Sequence, residues 1–304
     1  MKKYIPTILC LIAAMIWGFA FTAQKAAATL SAFTVGASRN LFATVFLLSI
    51  IPLFDKMNKK LGNERKYKQL FTKTELIGGT VCGIILTAAS AFQQTGIGDG
   101  TDAGKAAFIT ALYVVLVPMI SLLFGKKTPI NVWLSVGIAA VGFYLLCIKG
   151  DFTVEPSDAL VLICALIFAG HIIAIDRFSP RCDGVRMSCV QFFVSFVLNL
   201  IMALILEMPI SFGAIGSALP SLLFLGIGSS GIAYTLQILA QKDGDPTVVS
   251  VVMSLESVFG VLGGVIFLGE SMSPKEYIGC VIVFAAVILS QIEFKKTDKT
   301  QFIL

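Results

Sequence analysis

SLESVFGVLGGVIFLGE, residues Ser254–Glu270, overlaps an apolar run from about Pro246 to Leu268. A run of that length predicts a helix that crosses a bilayer, because ~20 residues rising ~1.5 Å each match a ~30 Å hydrocarbon core. Its single charge is Glu256, ten residues into the run, which places it ~15 Å deep. A carboxylate there costs several kcal/mol unless it is paired, protonated or wet. By this reading Glu256 is the only acidic residue so deep in any apolar run. The search for function therefore starts from it.

The rest of the chain agrees with a membrane protein. Its 304 residues are 57% apolar and 13% charged, whereas soluble domains carry roughly 25% charged residues. The net charge of +5 is no nucleic-acid signal, because the basic residues sit between apolar runs. One histidine and two tryptophans leave little for a soluble catalytic site. The seven cysteines (Cys10, Cys82, Cys147, Cys164, Cys182, Cys189 and Cys280) are odd in number and form no CxxC. They read as small buried residues, not as a disulfide framework or a zinc site. MKKYIPTILCLIAAMIWGFAFTAQKAA at the N-terminus reads as a first transmembrane helix and not a signal peptide. Its apolar run is too long, and no small-x-small cleavage site precedes a polar mature sequence.

Ten spans are expected, at roughly 5–24, 33–54, 76–97, 103–124, 130–148, 157–176, 186–206, 218–240, 246–268 and 274–293, followed by a basic tail over 294–304. With the N-terminus in the cytoplasm, 18 of the 23 cations fall in inner segments and four in outer loops, with Arg39 inside the second span. That bias predicts both termini on the cytoplasmic side. The chain also repeats itself. ALYVVLVPMISLLFGKK (111–127) lies on SLESVFGVLGGVIFLGE (254–270) without a gap, at an offset of 143. AFQQTGIGDG (91–100) matches AYTLQILAQKDGD (233–245) loosely, and AAMIWGFAFTAQK (13–25) matches CALIFAGHIIAID (164–176) more weakly. Two halves, 5–148 and 157–293, would each hold five spans. Five is odd, so the second half enters the membrane the other way up. The loops agree: seven cations lie between Lys56 and Lys73, while the matching loop near Glu207 has none. Inverted repeats are a common build of secondary transporters, with the substrate near the midplane.

On the 143 offset Glu256 pairs with Tyr113. Thr110, Tyr113 and Val117 share one helical face, as do Met253, Glu256 and Gly260. Gly260 and Gly264 form a GxxxG that reads as close helix packing. Pro118 removes one backbone bond near Tyr113. Span three carries a polar stripe of Thr87, Ser90 and Gln94, and span eight one of Ser230, Tyr234, Gln237 and Gln241. Such stripes face protein or water, not lipid. They serve either interhelical hydrogen bonding or a cavity wall. His171, the single histidine, suits proton shuttling, an anionic group or a structural donor role. Arg39 has three outlets: snorkelling outward, a helix end, or substrate. Trp17, mid-span, is either a cavity wall or packed core. Three roles stay open for Glu256: binding a cationic or zwitterionic substrate, exchanging a proton, or holding the halves together.

The pattern resembles a known family. WGFAFTAQK (17–25) resembles the WG-x-x-F…K element that opens the EamA domain of the drug/metabolite transporter superfamily. Arg39 in SRNLFATVFLL resembles that domain's second-helix arginine, and LESVFGVLGGVIFLGE (255–270) its LEPVFA…LGE element. TDAGKAAFITALYVVLVP (101–118) resembles the fourth helix of one branch. Departures are Ser257 for the usual proline, Lys126–Lys127 for Gly-Glu, and Phe168–Ala169 for Trp-Gly. The resemblance implies an all-α integral membrane protein of two inverted five-helix EamA repeats. Members carry amino acids, nucleobases, vitamins, sugar phosphates or drugs. Bacterial members are often exporters, and helices four and nine commonly border the substrate path.

The expectation is a secondary transporter of a small polar metabolite, an amino acid or organic cation, in the plasma or inner membrane. Its candidate substrate-binding residues are Glu256, Tyr113, Tyr234, Gln94, Trp17, Thr110 and His171, with Glu256 also a candidate for proton coupling. The expected partners are a small molecule and the bilayer. Protons and a homodimer are left open; no cofactor, metal or nucleic acid is expected. No GxxxxGK[ST] is present to bind ATP. A flippase of a lipid-linked intermediate is the alternative, with Arg39 as its phosphate-binding cation. An intramembrane enzyme is disfavoured, since no HExxH and no paired intramembrane carboxylates appear.

Overall fold

Helix ends follow local chemistry. Thr72 and Glu75 form a capping box at the start of one helix, and Asp183 and Asp245 cap two others by accepting backbone N–H bonds. Proline stands in the first turn of helices beginning at Ile5, Pro156 and Pro246, where its missing N–H is not needed. The computed structural model describes residues 4–60, 69–126, 128–147, 155–268, 273–290 and 292. Its helices are α1 (Ile5–Ala26), α2 (Ala32–Lys60), α3 (Lys73–Gly98), α4 (Ala103–Ala111), α5 (Tyr113–Leu123), α6 (Ile130–Cys147) and α7 (Pro156–Phe178). They continue with α8 (Gly184–Leu206), α9 (Phe212–Ser217), α10 (Leu219–Leu223), a π-helical stretch (Phe224–Ala233), α11 (Tyr234–Gln241), α12 (Pro246–Met253), α13 (Glu256–Leu268) and α14 (Pro274–Ser290).

Among the described residues, eight helical stretches are long and apolar enough to cross a membrane; α6 is apolar but shorter, and α14 has 17 residues. The protein is a multi-pass membrane protein. Its outer faces carry exposed apolar side chains such as Val45, Val141, Leu204 and Val281, while Asn40, Thr87, Ser195 and Asn199 are buried. Those four groups bond one another. Asn40 Nδ2 and Thr87 Oγ1 both reach Ser195 Oγ, at 2.8 and 2.9 Å, and Asn199 Nδ2 donates to Ser195 O at 2.7 Å. In lipid, polar groups must find such partners within the protein. Glu207, just past α8, accepts from the N–H groups of Phe33 and Thr34 at 2.8 and 2.7 Å, so it caps α2. The expected tail over 294–304 and the residues Lys127, Gly269 and Glu270 lie outside the described residues. Six of the cysteines are free thiols, among them Cys10, Cys82 and Cys164, which are buried.

Three expected continuous spans are interrupted. Span four breaks at Leu112 and span nine at Ser254–Leu255, so Tyr113 opens α5 and Glu256 opens α13, 143 residues apart. In span nine, Ser250, Ser254 and Ser257 each donate to a carbonyl three residues back. Such bonds compete with the helical ladder. In span four, Pro118 removes a rung one turn below the break. Span eight turns into a π helix over Phe224–Ala233. It lies hard against α2: a Cβ on Gly226 would stand 2.6 Å from Phe42 Cβ and 2.8 Å from Arg39 O.

The helices pair extensively as α2 with α8, α6 with α14, α3 with α7 and α8, and α1 with α11, α13 and the π stretch. The α1–α13 crossing is close. A Cβ on Gly18 would lie 2.3 Å from Phe259 Cβ and 2.7 Å from Gly260 N. Gly260, expected to serve packing, sits at this crossing.

Gly18→Ala is expected to force the crossing apart and cost ~1–3 kcal/mol, seen as a lower thermal midpoint in detergent. Gly137→Ala, which would meet nothing within 4 Å, is the control and should leave the midpoint in place.

Candidate functional site

Six of the seven expected site residues line one cavity: Trp17, Thr110, Tyr113, His171, Tyr234 and Glu256. Its volume is about 40 Å³. Its walls come from α1, α2, α3, α4, α5, α7, the π stretch, α11, α12 and α13. Gln94 is the exception. It is buried behind the wall, donating to Gln24 O at 3.3 Å and accepting from Gln24 Nε2 at 3.3 Å. Its neighbour Gln93 lines the cavity instead, accepting from Gln24 Nε2 at 2.9 Å and donating to Thr110 Oγ1 at 3.1 Å. Helical spacing counted from Ser90 admits either residue, at three or four positions on. Only the position of α1 decides between them.

The aromatic wall is locked together. Trp17 Nε1 donates to Ser229 O at 3.2 Å, and its ring meets that of Tyr234 edge-on at 4.7 Å. Tyr234 also meets His171 at 5.8 Å and Phe192 at 5.5 Å. Nε2 of His171 lies 3.0 Å from Gln191 Oε1, while its Nδ1 has no partner.

Arg39 neither snorkels outward nor sits at a helix end. It is 8% exposed, lines the cavity, and donates from Nε to Ser230 Oγ at 3.0 Å and from Nη2 to Ser229 Oγ at 2.9 Å. The glycines of the π stretch bring these hydroxyls close to α2. The signal in the sequence was a lone arginine in an apolar span, but its partners lie about 190 residues away.

Glu256 is 4% exposed, at the first position of α13. Tyr113, Tyr234 and Cys164 are its titratable neighbours. Neither Glu256 Oε1 nor the Tyr113 hydroxyl has a hydrogen-bond partner of ordinary geometry, and Gln237 Oε1 has none either. A buried polar group left unpaired costs ~1–3 kcal/mol. A cluster of them around a cavity marks a place where water or a ligand supplies the missing partners. The break itself keeps its backbone bonded: the N–H groups of Ser254, Leu255, Ser257 and Phe259 all donate to carbonyls three or four residues back. Among the described residues, no three His, Cys, Asp or Glu side chains converge as metal ligands.

Comparison with known proteins gives a consistent result. Residues 5–148 and 156–291 each match the EamA-like transporter family. A protein of Archaeoglobus fulgidus described as an uncharacterized transporter is 30% identical over 283 residues, covering 91% of this chain and 83% of the relative. The threonine/homoserine exporter RhtA of Escherichia coli K12 is 24% identical, covering 98% of this chain and 95% of RhtA. A solved crystal structure superposes with a TM-score of 0.76 over 94% of this chain and 96% of that one, at 18% identity. That likeness concerns the fold.

Gln93→Leu is expected to take the Gln93 donor from Thr110 and leave Gln24 Nε2 with only its longer bond to Gln94, costing ~1–3 kcal/mol, read as a lower thermal midpoint. Ser49→Ala removes only an exposed hydroxyl bonded to its own helix and should leave it unchanged.

Proposed function

The chain belongs to the EamA-like transporter family, and we propose that it exports a small polar metabolite, an amino acid above all, by alternating access around this cavity. It is a transporter and not an enzyme. The observation that carries the proposal is the buried, incompletely bonded Glu256 beside Tyr113 on the wall of a cavity at the breaks of two helices. Discontinuous helices at the midplane are a recurring device for binding substrate in carriers. The name of RhtA supports the amino-acid class and the outward direction.

In this reading the chain is ten helices in two inverted halves, 5–148 and 157–293, with both termini in the cytoplasm and the spans in the plasma or inner membrane. The pairing of helices supports it. Exchanging the halves turns α3 against α7 into α11 against α1, and α1 against α13 into α7 against α5; α2–α8 and α6–α14 map onto themselves. The cavity wall follows the same exchange, with Trp17 answering Phe168, Ala20 answering His171, Gln93 answering Gln237 and Tyr113 answering Glu256.

Two ion pairs join the halves at opposite ends of the bundle. Lys105 at the start of α4 pairs with Asp158 at the start of α7, and Lys126 beyond α5 pairs with Asp176 near the end of α7, each at 2.5 Å. The Lys126–Asp176 pair is partly exposed on both sides and contributes little, ~0–1 kcal/mol, so rocking of α5 against α7 can break it at small cost. Asp158 is buried and also accepts from Thr101 and Glu155, so that end is the firmer one. Glu256 gives the cycle a group that exchanges a proton for substrate.

Counterflow of labelled L-threonine into proteoliposomes tests the proposal. Wild type is expected to show flux that varies with pH. Glu256→Gln is expected to lose the flux or its pH dependence while keeping its thermal midpoint. Tyr113→Ala is expected to weaken binding, read as a higher half-saturating concentration. Wild-type flux and pH dependence in Glu256→Gln would overturn the role of Glu256, and unchanged affinity would remove Tyr113 from the site.

A further inference from the structure

We infer that Arg39 is a carboxylate subsite, so that the cavity, with Arg39 and Glu256 as separate charged groups on its wall, selects a zwitterion bearing a free carboxylate and a free ammonium. The inference rests on the carrier reading and narrows its substrate class, excluding simple organic cations.

The argument begins with the donors of Arg39. A guanidinium has five N–H donors. Two are used, on Ser230 Oγ and Ser229 Oγ. The three that remain suffice for a bidentate bond to a carboxylate, the geometry that arginine serves best. Its bonded partners are hydroxyls, which carry no charge. Among the described residues no ion pair includes Arg39 or Glu256. Arg39 is therefore buried on the cavity wall without a counter-ion, which is costly in a low-dielectric interior, and Glu256 pairs with an ammonium when it gives up its proton.

The two do not cancel each other. Tyr234 lies within electrostatic reach of both, and its ring, clamped against Trp17 at 4.7 Å, forms part of the wall they share. A ligand that is only a cation meets Arg39 unshielded, and one that is only an anion meets Glu256. A zwitterion supplies a partner to each and adds no net charge to the membrane interior. A purely structural Arg39, there to hold the π stretch on α2, would predict no such preference in the ligand.

The test compares three probes on the purified full chain in detergent, by thermal shift and by competition against labelled L-threonine. The probes are L-threonine, its methyl ester, which lacks the carboxylate, and N-acetyl-L-threonine, which lacks the ammonium. Unmutated protein is expected to bind L-threonine at least ~10-fold more tightly than either derivative, the scale of a charge-assisted bond. Arg39→Gln is expected to lose the preference over the ester while the ester itself binds as before. Glu256→Gln is expected to lose the preference over the N-acetyl compound. Arg39→Lys keeps a cation and is expected to keep part of the preference. Equal binding of L-threonine and its ester by unmutated protein overturns the inference even if Arg39→Gln fails to fold. A folded Arg39→Gln that keeps the full preference overturns it too, and the carrier reading survives in both cases. Absence of binding by all three probes, with no L-threonine counterflow, overturns the amino-acid reading itself.

Discussion

An arginine and a carboxyl group, Arg39 and Glu256, are buried on one cavity wall in the middle of this bundle without forming an ion pair. Much of the surrounding structure serves to hold them there. Arg39 is steadied by two serine hydroxyls, and those serines are brought within reach by a π-helical stretch whose glycines allow it to lie against α2. Glu256 is held at the first position of a half-helix. Neither group has a counter-ion among the described residues. The cost is carried by a frame in which most other buried polar groups are bonded within the protein.

That frame and the cavity are built differently. Between α2, α3 and α8, the Asn40–Ser195–Thr87 cluster and the Glu207 cap close their hydrogen bonds internally. Around the cavity the bonding is incomplete, at Tyr113, Glu256, Gln237 and His171, as it also is at Asn199 Oδ1 and Gln241 Oε1 away from it. Groups without partners gain most from a ligand where a cavity gives one access. The breaks at Leu112 and Ser254–Leu255 fall beside Tyr113 and Glu256 on the cavity wall.

Much of this was legible in the sequence. Apolar runs of span length and a single deep carboxylate imply a membrane bundle organised around Glu256, since a bilayer tolerates neither unpaired polar groups nor stray charge. The repeat at an offset of 143 joined Tyr113 to Glu256, and these residues open the two half-helices. Trp17, Thr110, His171 and Tyr234 stood out as polar or aromatic side chains at mid-span, and all of them line the cavity.

Other features needed the third dimension. Gln93 and not Gln94 faces the cavity because the choice depends on where α1 lies, and one turn of periodicity cannot separate neighbours 100° apart. The π helix, the break between α12 and α13 and the hydroxyl partners of Arg39 depend on how backbone bonds compete with side chains, local in the case of the serines and from a distant helix in the case of Arg39. The sequence alone determined that the protein is a membrane bundle with one costly carboxylate at its centre, because the price of burying charge is local to the residue. Whether a buried charge finds a counter-ion depends on contacts between residues far apart in the chain. Only the tertiary structure decided that Arg39 joins that carboxylate on the cavity wall and remains unpaired.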